Sequence, residues 1–255
     1  MTSERRQVGD TAVVIADRLA EVRQRVAEAA ARADRDPTAV KVVGVTKGVA
    51  AGLVKGAAAA GLVDLGENRI QEWLPKARLV GGGVRWHFVG RLQSNKVRYL
   101  NHGIQMVHSL DRSSLLAALV DRWSAWAEAL AEAEPSWAGP AAPGGFVQVN
   151  VAGEEGKAGI KPAGLESFLG RVQDAGIRRV EGLMTIAPFT AQPESVRWVF
   201  ARLRELRDRA RQRFGELGLG HLSMGMTGDY EVAIEEGATI VRLGTAIFGS
   251  RGRGA

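Results

Sequence analysis

The chain has 255 residues, of which 45% are hydrophobic and 24% are charged, and it contains no cysteine. These values are close to those of average globular domains and exclude a wholly disordered chain, while the lack of cysteine excludes disulfides and thiolate chemistry. No stretch approaches the roughly 18 apolar residues of a membrane span, and the opening MTSERRQVGD contains no signal-peptide core. We therefore expect a cytoplasmic protein with no membrane partner.

The charge is moderately basic, with 34 basic residues, 28 acidic residues and a formal net charge of +6. Seven arginines lie in 197–213, where apolar residues also recur at helical spacing. This segment is either a nucleic-acid patch or the solvated face of an amphipathic helix. Because no zinc-finger, KH or RNP motif accompanies it, we favour the helix and expect no nucleic-acid partner.

The predicted elements begin with a helix over 12–33, where apolar residues recur every three or four positions. After it, short apolar runs alternate with helical segments. The runs predict eight strands, at 41–46, 62–65, 85–89, 104–108, 146–150, 180–184, 221–224 and 240–243. The intervening helices are predicted at 50–60, 69–79, 93–100, 112–133, 163–175, 194–214 and 229–237.

This alternation predicts a parallel sheet with right-handed crossovers. A doubly wound open sheet would show the same alternation, but eight strand–helix units in about 250 residues favour a (β/α)8 TIM barrel. We therefore predict an α/β fold in which residues 1–255 form a single TIM-barrel domain with an extra N-terminal helix. The Pro/Gly-rich segment 134–145 is predicted to be a loop within it.

Lys47 directly follows the apolar run KVVGVT at the end of the first predicted strand. Ligand sites of TIM barrels lie at the carboxyl ends of the strands. We expect Lys47 to be desolvated there, which would lower the pKa of its amine and let it form a Schiff base with an aldehyde. A lysine that only ends a strand and reaches water is the alternative.

Turns rich in small residues follow the last two predicted strands, SMGMTG at 223–228 and Gly244-Thr245. Small residues let backbone N–H groups approach a phosphate, and these two loops often build the phosphate site of a barrel. Arg242 could pair with the same phosphate. A phosphorylated aldehyde bound to Lys47 fits both features, and pyridoxal 5'-phosphate and an aldolase-type sugar phosphate are the two candidates.

Three other polar residues lie near predicted strands. Glu67 and Asn68 either orient the lysine or the ligand, or cap the next helix. His87 stands between Trp86 and Phe88. We predict that it is a core histidine with its hydrogen bonds satisfied rather than a ligand-binding group.

The chain also contains a series of longer motifs: VGVTKGVA, LGENRIQEWLPK, WHFVGRLQSNKVRYL, VHSLDR, VQVNVAGEEGKAGIKP, VEGLMTIAP and HLSMGMTGDYEVAIEEGATIVRLGTAIFGSR. In this order they resemble the pyridoxal-phosphate homeostasis proteins, whose fold is similar to the barrel domain of alanine racemase. The resemblance extends from the N-terminal helix to Arg251.

This resemblance implies that Lys47 holds the aldehyde of pyridoxal 5'-phosphate. It implies a role in homeostasis of that cofactor, by buffering or delivery, with apoenzymes that use the cofactor as candidate partners, and we expect a monomer. The resemblance also places residues at the phosphate and along the same site: Ser223, Met226, Thr227, Gly244 and Thr245 at the phosphate, and Asn68 and Arg242 lining the site.

An amino-acid racemase-like enzyme is the alternative function. Racemases with a similar fold take a second acid/base from a C-terminal β-domain of a partner subunit, and we expect no such domain after the eighth strand. The two tyrosines, Tyr99 and Tyr230, offer no obvious second base. We therefore expect a cofactor carrier without substantial catalysis of its own.

Overall fold

Eight parallel strands form a closed barrel in the computed structural model, which describes residues 3–131, 143–177 and 179–250. The strands pair in chain order, and β8 closes the barrel against β1. The predicted TIM barrel and its N-terminal helix are thus confirmed. The strands are β1 Lys41–Val45, β2 Asp64–Glu67, β3 Arg85–Phe88, β4 Ile104–Leu110, β5 Gly144–Gln148, β6 Val180–Met184, β7 Gly218–Ser223 and β8 Ile240–Leu243.

Helices surround the barrel and follow all strands except β3, after which a 3-10 helix spans Ser94–His102. The first helix packs across the second, seventh and eighth. No helix within the described ranges has the length and apolar character needed to cross a bilayer. The helices are α1 Ser3–Arg32, α2 Ala51–Ala59, α3 Ile70–Val80, α4 Ser113–Ala131, α5 Leu165–Asp174, α6 Arg197–Phe214, α7 Tyr230–Glu235 and α8 Thr245–Phe248.

The predicted loop at 134–145 needs a correction at its end. Residues 134–142 lie outside the described residues, but Gly144 and Gly145 begin β5. A Cβ on Gly145 would lie 2.4 Å from Leu110 Cδ1, and one on Gly144 would lie 2.8 Å from Met106 Sδ. The glycines therefore allow β4 and β5 to approach closely, and they do not mark a loop. That residues 1–255 form one domain stays a prediction.

The arginine-rich helix α6 is amphipathic, as predicted. Its buried side includes Phe200 and Leu203, while Trp198 is exposed. Three of its seven arginines pair with acids on neighbouring segments, as Arg197 Nη2 does with Glu235 Oε2 at 2.6 Å. These ion pairs neutralise part of the positive charge on the helix.

The inside of the barrel is partly polar. A small apolar cluster of Val43, Phe146, Met184 and Ile240 fills part of it. TIM-barrel interiors are usually packed with layers of branched apolar side chains, whereas here several buried polar side chains take their place. These are Asp64, His87, His108, Ser223 and Arg242.

Candidate functional site

A cleft of about 320 Å³ opens at the carboxyl ends of β7, β8, β1 and β2. Because these four strands are neighbours in the barrel, loops that are far apart in sequence meet there. Seven of the eight predicted site residues line the cleft, and Ser223 is the exception. The seven are Lys47, Asn68, Met226, Thr227, Arg242, Gly244 and Thr245.

Lys47 is exposed in this cleft, so the predicted desolvation is wrong. Strand β1 ends at Val45, and Thr46 carries the side chain that is buried at the strand end. The chain then turns at Lys47 and Gly48, whose φ of 66° is in the left-handed region that favours glycine. The Lys47 ammonium makes no hydrogen bond or ion pair to the part of the protein that the structure describes.

A buried ion pair lies beneath the turn that carries Lys47. Lys76 Nζ is 2.6 Å from Glu67 Oε2, and it also donates to the Thr46 carbonyl at 2.7 Å. Thr46 Oγ1 donates to the same carboxylate at 2.8 Å. Glu67 and Lys76 therefore fix the residue that directly precedes Lys47.

Asn68 connects this ion pair to the cleft. Its backbone N–H donates to Glu67 Oε1 at 2.7 Å, while its side-chain Oδ1 is buried and finds no hydrogen-bond partner among the described residues. Neither Glu67 nor Asn68 caps α3, because the residue before that helix is Arg69 and it makes no side-chain cap. A buried acceptor without a partner is costly, so Asn68 Oδ1 marks a place where a ligand donor would be stabilising.

The turn after β7 is held by a side chain that we had not predicted. Asp229 Oδ1 accepts a hydrogen bond from the Met226 N–H at 2.6 Å. Thr227 Oγ1 accepts one from the Ala246 N–H at 3.4 Å and so links this turn to α8. Burial raises the pKa of the Asp229 carboxyl, although its hydrogen bond and the charge of Arg242 act in the opposite direction.

Gly244 lies opposite that turn, at the end of β8. Its φ of −106° is accessible to any residue. A Cβ there would make only an ordinary contact, 3.7 Å from the Val45 carbonyl oxygen. Neither backbone strain nor internal packing thus requires a glycine, and its smallness instead leaves room in the cleft.

Arg242 forms the floor of the cleft and is only 5% exposed. Its Nη1 donates to Ser223 Oγ at 2.7 Å and its Nη2 to the Thr185 carbonyl at 2.9 Å. Burial lowers its pKa to about 10, with the charge of Asp229 opposing the shift, so the guanidinium stays positive at neutral pH. Ser223 is completely buried and contacts this guanidinium rather than the cleft.

His87 is a buried histidine with both ring nitrogens paired, as predicted. Nδ1 is 2.9 Å from His108 Nε2, and Nε2 is 3.0 Å from Asp64 Oδ1. Among the described residues, no group of three or more histidine, aspartate or glutamate side chains could hold a metal. Four polar residues of the barrel interior and its rim are not among those that the sequence predicts: Asp64, Lys76, His108 and Asp229.

The chain is similar to known proteins over most of its length. A family model described as alanine racemase, N-terminal domain, matches residues 18–252. A pyridoxal phosphate homeostasis protein of Pseudomonas aeruginosa is 43% identical over 242 residues, covering 94% of this chain and 97% of the relative. One of Aquifex aeolicus is 40% identical over 236 residues, covering 92% and 97%.

A solved structure of PipY from Synechococcus elongatus with PLP bound is also similar. It has a TM-score of 0.74 and 30% identity, covering 92% of this chain and all of PipY. The chain therefore belongs to the alanine racemase N-terminal domain family and, within it, to the pyridoxal phosphate homeostasis proteins.

Proposed function

We propose that this chain binds pyridoxal 5'-phosphate as a Schiff base on Lys47 and takes part in homeostasis of the cofactor, by buffering or delivering it. The observation that carries the proposal is the position of Lys47. Its exposed ammonium, which has no ion pair or hydrogen bond to the residues that the structure describes, shares one cleft with the small-residue turns after β7 and β8. After losing a proton, such an amine can condense with an aldehyde, forming a carbon–nitrogen double bond and releasing water.

The other residues of the cleft fit this cofactor. Gly244 leaves space beside the turn after β7, and Arg242 supplies a positive charge at the floor. Asn68 Oδ1 has no hydrogen-bond partner in the described part of the chain and can accept a hydrogen bond. In this proposal the phosphate lies at the small turns, the remaining polar groups line the ring, and Ser223 acts through Arg242. The residues assigned to the phosphate are Met226, Thr227, Gly244 and Thr245.

We also propose that the chain is a carrier without substantial catalysis of its own. The relatives from Pseudomonas aeruginosa and Aquifex aeolicus are named for homeostasis of the cofactor rather than for a reaction. The ionisable side chains that line the described cleft are Lys47, Asp229 and Arg242, whereas Tyr99 and Tyr230 do not line it. Asp229 already accepts the Met226 N–H. We place this carrier in the cytoplasm, as a monomer whose partners are apoenzymes that need the cofactor.

The test is borohydride trapping on the purified protein after loading with pyridoxal 5'-phosphate. We expect a visible absorption band that reduction removes, and a reduced adduct on the peptide that contains Lys47. Lys47→Arg should keep the positive charge and the fold but lose the adduct. Lys41→Arg, at the opposite end of the same strand, is the matched control and should keep it.

Two outcomes would contradict the proposal. An undiminished adduct in Lys47→Arg would remove the assignment to this lysine. Trapping of an aldose phosphate, but not of pyridoxal 5'-phosphate, would support the aldolase-type alternative.

A further inference from the structure

A chain of hydrogen bonds runs through the inside of the barrel from the amino end of β2 to Arg242. Asp64, the first residue of β2, contacts His87, which contacts His108. His108 Nδ1 then lies 2.8 Å from Ser223 Oγ, and this hydroxyl accepts from Arg242 Nη1 at 2.7 Å. Each of the five side chains comes from a different strand.

If each imidazole carries one proton, the two ends of this hydrogen-bonded chain determine the direction of every hydrogen bond in it. Arg85 holds Asp64 with two hydrogen bonds of 2.7 Å. Although burial alone would raise the pKa of Asp64, its bonds to Arg85 and His87 outweigh that effect and hold the pKa well below the usual range. Asp64 is thus an ionised acceptor, and Arg242 at the other end can only donate.

Three hydrogens therefore serve the three inner contacts. His87 donates from Nε2 to Asp64, His108 donates from Nε2 to His87 Nδ1, and Ser223 donates to His108 Nδ1. This arrangement needs one proton on each imidazole, and complete burial holds the pKa of His108 well below its ordinary value, which keeps that ring neutral. With the direction so fixed, the Ser223 oxygen presents its lone pairs to Arg242.

The far end of the chain lies beside a second cavity, of about 280 Å³, at the amino ends of the strands. Asp64 and His87 line this cavity. Charged or titratable groups from the surrounding strands and loops also line it, namely Lys41, Arg85, Arg179, Glu181 and His221. A change in charge or hydrogen bonding at this end can therefore affect the hydrogen-bonded chain without involving the cleft.

We propose that Asp64, His87, His108 and Ser223 are positioning residues that hold the Arg242 guanidinium at the cleft through a hydrogen-bonded chain of fixed direction. This hydrogen-bonded chain couples the two ends of the barrel. If Asp64 donates instead of accepting, the imidazoles must exchange their donor and acceptor nitrogens, and the Ser223 hydrogen loses its acceptor. Ser223 Oγ then accepts from both His108 and Arg242, and its hydrogen has to find another acceptor, which disturbs the contact that orients Arg242.

The first test measures the histidine tautomers in the cofactor-free protein by NMR with ¹⁵N-labelled histidine. We expect His87 and His108 to be neutral and protonated on Nε2. Protonation of His108 on Nδ1, or a charged imidazole at either position near neutral pH, would overturn the proposal. This measurement is independent of the proposed function.

The second test rests on the proposed function and uses Asp64→Asn, at the opposite end of the barrel from the cleft. Couplings through packed networks correspond to about 2- to 30-fold in affinity. We expect the folded variant to lose affinity for pyridoxal 5'-phosphate by a factor in this range. We also expect the ¹⁵N signals of His108 to change. His221→Gln is the control, since His221 lines the same cavity but contacts Thr239, which is not part of the hydrogen-bonded chain. Equal affinities of the two variants would overturn the coupling, whereas absence of binding in the wild type would overturn only the proposed function.

Discussion

Replacing Lys76 with methionine should destabilise the protein strongly and disturb the turn that carries Lys47. The side chains of Lys76 and Glu67 are 7% and 0% exposed, and their charged atoms are 2.6 Å apart. Removing one partner of such a pair leaves an uncompensated buried charge and costs about 3–5 kcal/mol. We therefore expect the free energy of unfolding of Lys76→Met, measured by urea denaturation, to fall by about that amount.

Other variants of the pair separate charge burial from packing. Glu67→Gln should cost less than Lys76→Met, because Lys76 still donates to the Thr46 carbonyl and has Glu72 Oε2 at 3.4 Å. The double variant should be more stable than Lys76→Met alone, since both buried charges are then gone. Arg69→Gln, which removes an exposed pair with Glu72, is the control and should cost no more than about 1 kcal/mol. The reasoning is refuted if Lys76→Met costs as little as this control.

Three further predictions follow from the cleft and its surroundings. Gly244→Ala should leave the melting temperature nearly unchanged but weaken binding of pyridoxal 5'-phosphate. The control, Gly90→Ala, should lower the melting temperature because its Cβ would lie 2.5 Å from the Asn68 carbonyl oxygen. Equal changes in melting temperature for the two variants would contradict the prediction. Arg242→Gln should weaken cofactor affinity by about 10- to 150-fold, through loss of a charged contact, and unchanged affinity in a titration would contradict its role. Because folding lowers the pKa of His108, the unfolded chain binds more protons than the folded chain below about pH 6.5, and the free energy of unfolding falls there. His108→Gln should remove this loss, so the difference in free energy of unfolding between the variant and the wild type, measured in urea, should narrow on acidification. A difference that widens would contradict the prediction.

Local patterns were sufficient to predict the barrel, because strand and helix periodicity repeat eight times along the chain. They failed where glycines serve strand packing. Gly144 and Gly145 were assigned to a loop, although they let two neighbouring strands approach. Whether a glycine marks a turn or a close approach depends on the facing strand, which local sequence does not identify.

The candidate site was predicted in part. Residues at strand ends converge in any parallel barrel, so Lys47, Arg242 and the two small turns could be placed together. The exposure of Lys47 depends on the exact residue at which β1 ends. The pairs Lys76–Glu67 and His87–His108 depend on the register between elements, which the sequence does not give. The sequence signal for the first pair is the charged residue Lys76 at an apolar position of α3.

We propose that the chain holds pyridoxal 5'-phosphate on Lys47 and releases it to other proteins. The most direct measurement is to mix the loaded protein with the apo form of an unrelated enzyme that uses this cofactor, and to follow recovery of that enzyme's activity. We predict recovery in proportion to the cofactor lost from the carrier, and no recovery with Lys47→Arg taken through the same loading procedure. No recovery with the wild type, together with saturable turnover of an amino acid that Lys47→Arg abolishes, would contradict the claim and favour an enzyme.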